Sequence, residues 1–346
     1  MRRLHRWLAL SLGAWFALLG LTGAVLVFEP EIEAWSVRNP GPGTPLSLDA
    51  LTDAARAAGP PGLLRIWPGA EPGGRFRADF RDEHGRTTLY LDPATGALLG
   101  EVRQGAHAVN WLHALHRSLL LGRPGDVLVG LLGLPLAALL GAGLGLWFRR
   151  DALPWREKLV SDARLRGRRR IANQHRVLGF RAALPLLVAA LTGIGMAFPQ
   201  TLQWALYRVI RNIPPPLSLP GEGPVDLAGA AALALAQRPG WRVAFIELPQ
   251  PGEPPLHGVE LAPPAPWPGQ GATVRIDTAT GALAEIIPAD PVGRTRGWII
   301  ALHDGTVFGL PHRLAMLVVG LLPLVLGWLG LRLWWRARQA RRRLRA

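Results

Sequence analysis

Trp111-Leu-His-Ala-Leu-His116 and Trp298-Ile-Ile-Ala-Leu-His303 are two copies of one hexapeptide, and their placement decides the fold. Each copy precedes a long apolar run. Each run ends in a Trp 31 residues past the last His, from His116 to Trp147 and from His303 to Trp334. A second pair of histidines keeps the same spacing discipline. His5 lies 17 residues before Thr22 of Leu21-Thr-Gly23, and His175 lies 17 residues before Thr192 of Leu191-Thr-Gly193. The chain therefore reads as a tandem duplication, visible without any alignment to other proteins.

Outward from these motifs, the composition sets the class. Of 346 residues 49% are hydrophobic, and the mean hydropathy is +0.19. That is too apolar for an ordinary soluble domain and fits a membrane protein with a sizeable polar part. No Cys is present, which excludes disulfides, thiolate metal sites and Cys-attached haem. The net charge is +15, but the arginines cluster after apolar runs, at Arg149 and Arg150, Arg164 to Arg170, and Arg332 to Arg345. That is the pattern of cytoplasmic loops and argues against nucleic-acid binding.

Four runs can cross a bilayer. Residues 1–28 carry the first, with Trp7 to Phe28 free of charge; Phe28-Glu-Pro-Glu31 offers no small-residue cleavage site, so the run reads as a retained helix. Residues 29–110 are polar and rich in Pro and Gly. They predict a periplasmic α+β module with a helix over Leu48 to Ala58 and strands over Arg75 to Phe80, Thr87 to Asp92 and Ala97 to Leu99. Residues 111–148 hold the first hexapeptide and the second span, Val127 to Phe148. A basic cytoplasmic loop, 149–174, leads to the third span, 175–198. Residues 199–297 form a second periplasmic module, with a helix over Asp226 to Gln237 and rigid proline segments at 214–216 and 263–268. Its Asp277-Thr-Ala-Thr-Gly281-Ala-Leu repeats Asp92-Pro-Ala-Thr-Gly96-Ala-Leu. Residues 298–335 hold the second hexapeptide and the fourth span, Leu314 to Leu331, and 336–346 are a basic cytoplasmic tail. The expected fold is a four-helix membrane bundle, mainly α, with two small α+β modules. Its halves are related by a pseudo-twofold axis along the membrane normal.

Such an axis brings equivalent residues together. His5 would face His175 near the cytoplasmic side, and His116 would face His303 near the outer side. Opposed neutral imidazoles on neighbouring helices are what six-coordinate b-type haem iron takes, so two haems are expected. Four of the nine histidines occupy these duplicated positions. Arg6, Arg176 and Arg117 follow three of them and could pair with haem propionates; Asp304 stands at the fourth place. The bland alternatives are that the histidines decorate helix ends, that the span glycines serve packing, and that Trp111, Trp298, Trp147 and Trp334 are interfacial belt residues. His113 and His312 lack repeat mates and are secondary candidates. With His116 and His303 they could hold a bare transition metal instead. His84, His107 and His257 show no spacing signal.

His5-Arg-Trp-Leu…Leu21-Thr-Gly, Leu115-His-Arg-Ser-Leu…Gly122, His175-Arg-Val-Leu-Gly179 and Leu302-His-Asp-Gly…Phe308-Gly together resemble the PepSY-associated transmembrane proteins of bacterial inner membranes. The resemblance spans nearly the whole chain, and the Asp-x-x-Thr-Gly segments look like the strand-turn-strand of PepSY modules. It implies an iron-uptake oxidoreductase of the di-haem ferric-siderophore reductase type, with no catalytic side chain assigned. Its partners would be the lipid bilayer, a ferric siderophore or other ferric chelate, and a separate electron donor. No GxGxxG opens a helix after a strand, so a flavin or nicotinamide domain is not expected. The alternatives are a membrane-anchored PepSY binding or regulatory protein without haem, and a metal-handling transport protein.

Overall fold

The structure is a computed structural model that describes residues 1–68, 74–83, 85–103, 108–149, 159–210, 217–264, 268–287 and 291–343. His84, His107, Arg150, Pro214 to Pro216, Pro266 and Arg345 lie outside the described residues. The chain forms two compact units, one of residues 1–28, 112–204 and 299–346, the other of 29–111 and 205–298.

Among the described residues, four helices in the first unit are long and apolar enough to cross a membrane: α1 (Arg2–Leu26), α5 (Arg123–Phe148), α6 (Gly167–Ala197) and α10 (Leu310–Arg343). The chain is a membrane protein. Every helix begins earlier than its uncharged core, because the flanking Arg and His residues continue the helical hydrogen bonding. At about 1.5 Å per residue, α10 far exceeds a bilayer core of about 30 Å, so its basic turns extend past the apolar part. Each hexapeptide sits on its own short helix, α4 (Ala108–Ser118) and α9 (Pro291–Asp304). Between α4 and α5 the backbone turns through Leu119 (φ 50), Leu120 (φ 64) and Gly122 (φ 62), and Pro124 then starts α5.

The helices form a ring in which α1 packs on α10 and α5, and α6 packs on α5 and α10. This puts α1 diagonally across from α6. The α1–α10 crossing needs two glycines, since a Cβ at Gly20 would run into the Gly320 carbonyl. The α5–α6 crossing matches it, with Gly133 against Ile194 and the Ala190 carbonyl. Arg313 of α10 donates to the Val27 carbonyl at the end of α1 (2.7 Å) and lies over Phe28. Trp147 is buried and stacks on Phe180 (centroids 3.9 Å, 13° between planes), so it is a packing residue and not a belt residue. Trp111 and Trp298 are exposed.

The second unit departs from the two-module expectation. Among the described residues it holds one antiparallel sheet of nine strands, β1 (Leu63–Trp67), β2 (Phe76–Asp82), β3 (Gly85–Leu91), β4 (Leu98–Arg103), β5 (Leu217–Leu219), β6 (Arg242–Glu247), β7 (Leu256–Ala262), β8 (Ala272–Asp277) and β9 (Ala282–Ile287). Their order is β4-β3-β2-β1-β6-β7-β8-β9-β5. β1 pairs with β6, Ile66 opposite Ile246, and the Arg65 guanidinium pairs with the Glu247 carboxylate. This pairing removes the open edge that each half would otherwise carry. Helices α3 (Leu48–Ala58) and α8 (Leu227–Ala236) pack on the sheet and on each other.

One core serves both halves. Alternate residues Phe76, Ala78 and Phe80 of β2 and Leu89 and Leu91 of β3 join Val259, Leu261, Val274 and Ile276 beneath Leu51, Ala55, Ala230 and Ala234. Ser47 caps α3 through the Ala50 N–H (3.2 Å), and Asp49 of α3 accepts from the Leu227 N–H (3.0 Å), bracing the start of α8. The repeated Asp-x-x-Thr-Gly segments both fold as tight turns. Asp92 accepts from Gly41, Ala94 and Thr95 N–H groups, and these hold its carboxyl below the usual carboxylate range. Asp277 accepts from Ala279 N–H (2.9 Å), and Gly96 (φ 71) and Gly281 (φ 68) close the two turns.

Candidate functional site

The bundle brings the four repeat histidines into two facing pairs. The labels inner and outer follow the expected topology. His5 on α1 faces His175 on α6, the inner pair, with ring centroids 6.2 Å apart and planes at 79°. His116 on α4 faces His303 on α9, the outer pair, also at 6.2 Å, with planes at 50°.

Each ring lies against a glycine of another helix, near the carbonyl four residues before that glycine. His116 lies in a notch on α1, where a Cβ on Gly23 would come within 2.9 Å of its Cε1. Its Nδ1 is 2.9 Å from the Leu19 carbonyl, four residues before that glycine. His5 lies against Gly143 of α5 (3.2 Å by the same measure), with Nδ1 3.1 Å from the Leu139 carbonyl. His303 lies against Gly193 of α6 (3.1 Å), beside the Ala189 carbonyl. His175 lies against Gly330 of α10 (3.5 Å); its Nδ1 faces the Leu326 carbonyl without reaching hydrogen-bond geometry. The parts recur at fixed offsets in the chain. Residues 5, 19, 22 and 23 recur 170 later at 175, 189, 192 and 193, and 116, 139 and 143 recur 187 later at 303, 326 and 330.

The notch sets the chemistry. A carbonyl oxygen only accepts, so an Nδ1 bonded to one must carry the ring proton, and Nε2 then keeps its lone pair. Among the described residues, no hydrogen bond reaches Nε2 of any of the four rings. The outer rings have a further neighbour. The Thr22 hydroxyl gives its proton to the Leu18 (2.9 Å) and Leu19 (3.0 Å) carbonyls, and its oxygen lies 3.0 Å from His116 Nδ1. Thr192 does the same, with Val188 (2.7 Å) and Ala189 (3.1 Å) on one side and His303 Nδ1 (3.0 Å) on the other. The Leu-Thr-Gly motif is thus the seat of a histidine from another helix.

This geometry can be tested against a shared metal. Two imidazoles bonded to one ion at about 2 Å, with each ring centre about 1 Å further back, stand about 6 Å apart. Among the described residues, no three His, Asp or Glu side chains gather as a bare-metal site. The two facing imidazoles of each pair would suit a group that takes two nitrogens from the protein. His113 is exposed. His312 is half-buried, 5.8 Å from the Phe308 ring, and its Nδ1 has no hydrogen-bond partner among the described residues. Of the arginines, Arg6 is exposed, Arg176 is half-buried, and Arg117 pairs with Asp126 (3.3 Å). In the sheet unit, His257 Nδ1 lies 3.5 Å from the Thr278 hydroxyl, well away from either pair in the sequence and in a different unit.

Compared with known families, residues 2–337 match the model of the PepSY-associated TM region. The chain belongs to that family. No curated protein matches it. For this PepSY-associated protein the match covers the bundle and the sheet unit alike, so both belong to the family's common architecture.

Proposed function

We propose that this protein is a two-haem electron conduit of the bacterial inner membrane, arisen by tandem duplication, that reduces a ferric chelate such as a ferric siderophore in the periplasm. The observation that carries the reading is the two facing imidazole pairs, each 6.2 Å between centroids, with no hydrogen bond on any Nε2 among the described residues. His5 and His175 would hold one b-type haem towards the cytoplasm, and His116 and His303 another towards the periplasm. When bound, such a group supplies one-electron chemistry at iron.

The chain's own residues do the rest. Helix carbonyls orient the His5 and His116 rings and fix their tautomer. Apolar spans keep water away, and Arg6, Arg176 and Arg117 stand beside the ligands in sequence as cations for propionates. On α1 the seat of His116 begins at Leu19 and ends at Gly23, 14 to 18 residues beyond His5. That rise is about 20–27 Å, so the pairs stand near opposite faces of a core about 30 Å thick. The Arg-rich segments at 164–170 and 336–343 support a cytoplasmic side for those ends of the bundle, with both termini expected there. The nine-stranded sheet unit would lie in the periplasm and offer the chelate its docking surface. Hard oxygen donors hold ferric iron more tightly than ferrous iron, so reduction loosens the chelate. A separate protein or membrane quinol would supply the electrons.

Colour is the test. Protein purified in mild detergent from haem-replete cells should show a Soret band and, once reduced, an α-band in the b-type region, with two haems per chain. A colourless preparation overturns the proposal.

A further inference from the structure

The two pairs share one kind of notch, and only the outer pair adds a hydroxyl to it. The residue before the notch glycine is Thr22 or Thr192 at the outer pair and Ala142 or Leu329 at the inner pair. We infer that Thr22 and Thr192 are positioning residues that lock the outer imidazoles and strengthen them as donors, giving the outer pair the lower reduction potential. This rests on the haem binding proposed above.

The protons decide the roles. Each Thr proton is committed to carbonyls of its own helix, Leu18 and Leu19 for Thr22, Val188 and Ala189 for Thr192. The oxygen can then only accept from the ring Nδ1–H, at 3.0 Å in both cases. At His116 that N–H is shared between the hydroxyl and the Leu19 carbonyl. Acceptors on Nδ1–H draw its proton outward and shift electron density to Nε2. A richer Nε2 favours the ferric over the ferrous state, so the potential falls. The inner rings have less. His5 Nδ1 has one acceptor at 3.1 Å, and His175 Nδ1 has none within hydrogen-bonding geometry among the described residues.

The two pairs also differ in ring orientation, 79° at the inner pair against 50° at the outer. The angle between axial imidazole planes shapes the low-spin ferric EPR signal. Near-perpendicular planes give one dominant low-field feature, and smaller angles give a resolved rhombic set. If the rings keep these angles around a bound haem, the two sites would be separable by spectrum as well as by potential.

The experiment is a redox titration of the purified full-length protein, read by absorbance and low-temperature EPR. Wild type is compared with Thr22→Val, Thr192→Val, Thr22→Ser and Ala142→Thr. Val keeps the shape and removes the hydroxyl. The expected result is a two-component wild-type titration whose lower component rises in each Val variant, with the rhombic EPR set shifting alongside. Thr22→Ser should restore both readouts. Ala142→Thr, which places a hydroxyl before Gly143, should lower the upper component. An unmoved lower component and unchanged EPR in both Val variants, with two haems retained, overturns the inference and leaves the haem reading standing. If the Val variants lose the outer haem, Ala142→Thr decides: a fall in the upper component supports the inference, and no change overturns it. A wild type without haem overturns the proposed function itself.

Discussion

At the inner pair, His5 and His175 stand 6.2 Å apart, seated on Gly143 and Gly330 with at most one hydrogen bond per ring among the described residues. At the outer pair, His116 and His303 stand at the same distance, seated on Gly23 and Gly193 with a threonine hydroxyl on each ring. Spacing is held equal while the ring environment is not. The glycine and the carbonyl four residues before it belong to the frame that both pairs use. The hydroxyl and the ring angle are what the frame leaves free to vary. A bundle can in this way present two similar histidine pairs whose surroundings differ while the residue type stays the same.

The comparison breaks most sharply if the pairs are not separate sites. His5→Ala and His116→Ala should each remove about half of the haem measured per chain, and the double variant should remove nearly all of it. Retention of two haems in either single variant would show that its histidine is not a ligand.

The notches rank next. An alanine Cβ would come within 2.9 Å of a ring atom at Gly23, 3.1 Å at Gly193, 3.2 Å at Gly143 and 3.5 Å at Gly330. The last is ordinary van der Waals contact. Overpacking costs about 1–3 kcal/mol, so Gly23→Ala should destabilise the outer pair most, whereas Gly330→Ala should stay within about 0.5 kcal/mol. Thermal loss of the Soret band in each variant checks the order, and an equal effect at all four positions would refute the notch as the seat of the rings.

Arg313 gives a smaller and one-sided effect. Its mate at the 187 offset is Asp126, so that position of α5 carries no arginine to repeat the clamp of α10 on Val27. Arg313→Met should cost about 1–3 kcal/mol by unpairing the Val27 carbonyl, and it should disturb the outer EPR signal before the inner one. Arg117→Ala should be smallest. Its pair with Asp126 is exposed and worth under about 1 kcal/mol, so haem content should hold. A loss of outer haem in that variant would instead make Arg117 a propionate partner.

Much of the bundle could be read in the chain, because repetition and apolar length are one-dimensional signals. Spacing alone paired His5 with His175 and His116 with His303. The helix over Leu48 to Ala58 was legible to its end residues through its amphipathic pattern. The seats of the rings were not. Leu-Thr-Gly could be seen to repeat, but its partner lies on another helix 94 or 111 residues away. Shifting the second span by 187 residues would have exposed the shared Leu139…Gly143 and Leu326…Gly330. β1 was missed as well, since Leu63-Leu-Arg-Ile-Trp67 is short, follows Pro60-Pro-Gly62 and does not alternate cleanly. Its partner β6 belongs to the other half of the chain, so no local pattern could announce a single sheet.

That shared sheet has a consequence for biosynthesis. Arg65 meets Glu247 across 182 residues of chain. At roughly 5–20 residues per second, β1 waits on the order of 10 s or more after synthesis before β6 exists. During that interval its edge lacks its partner strand. The β1–β6 seam, and with it the continuous sheet, therefore closes only after residues 242–247 have been made.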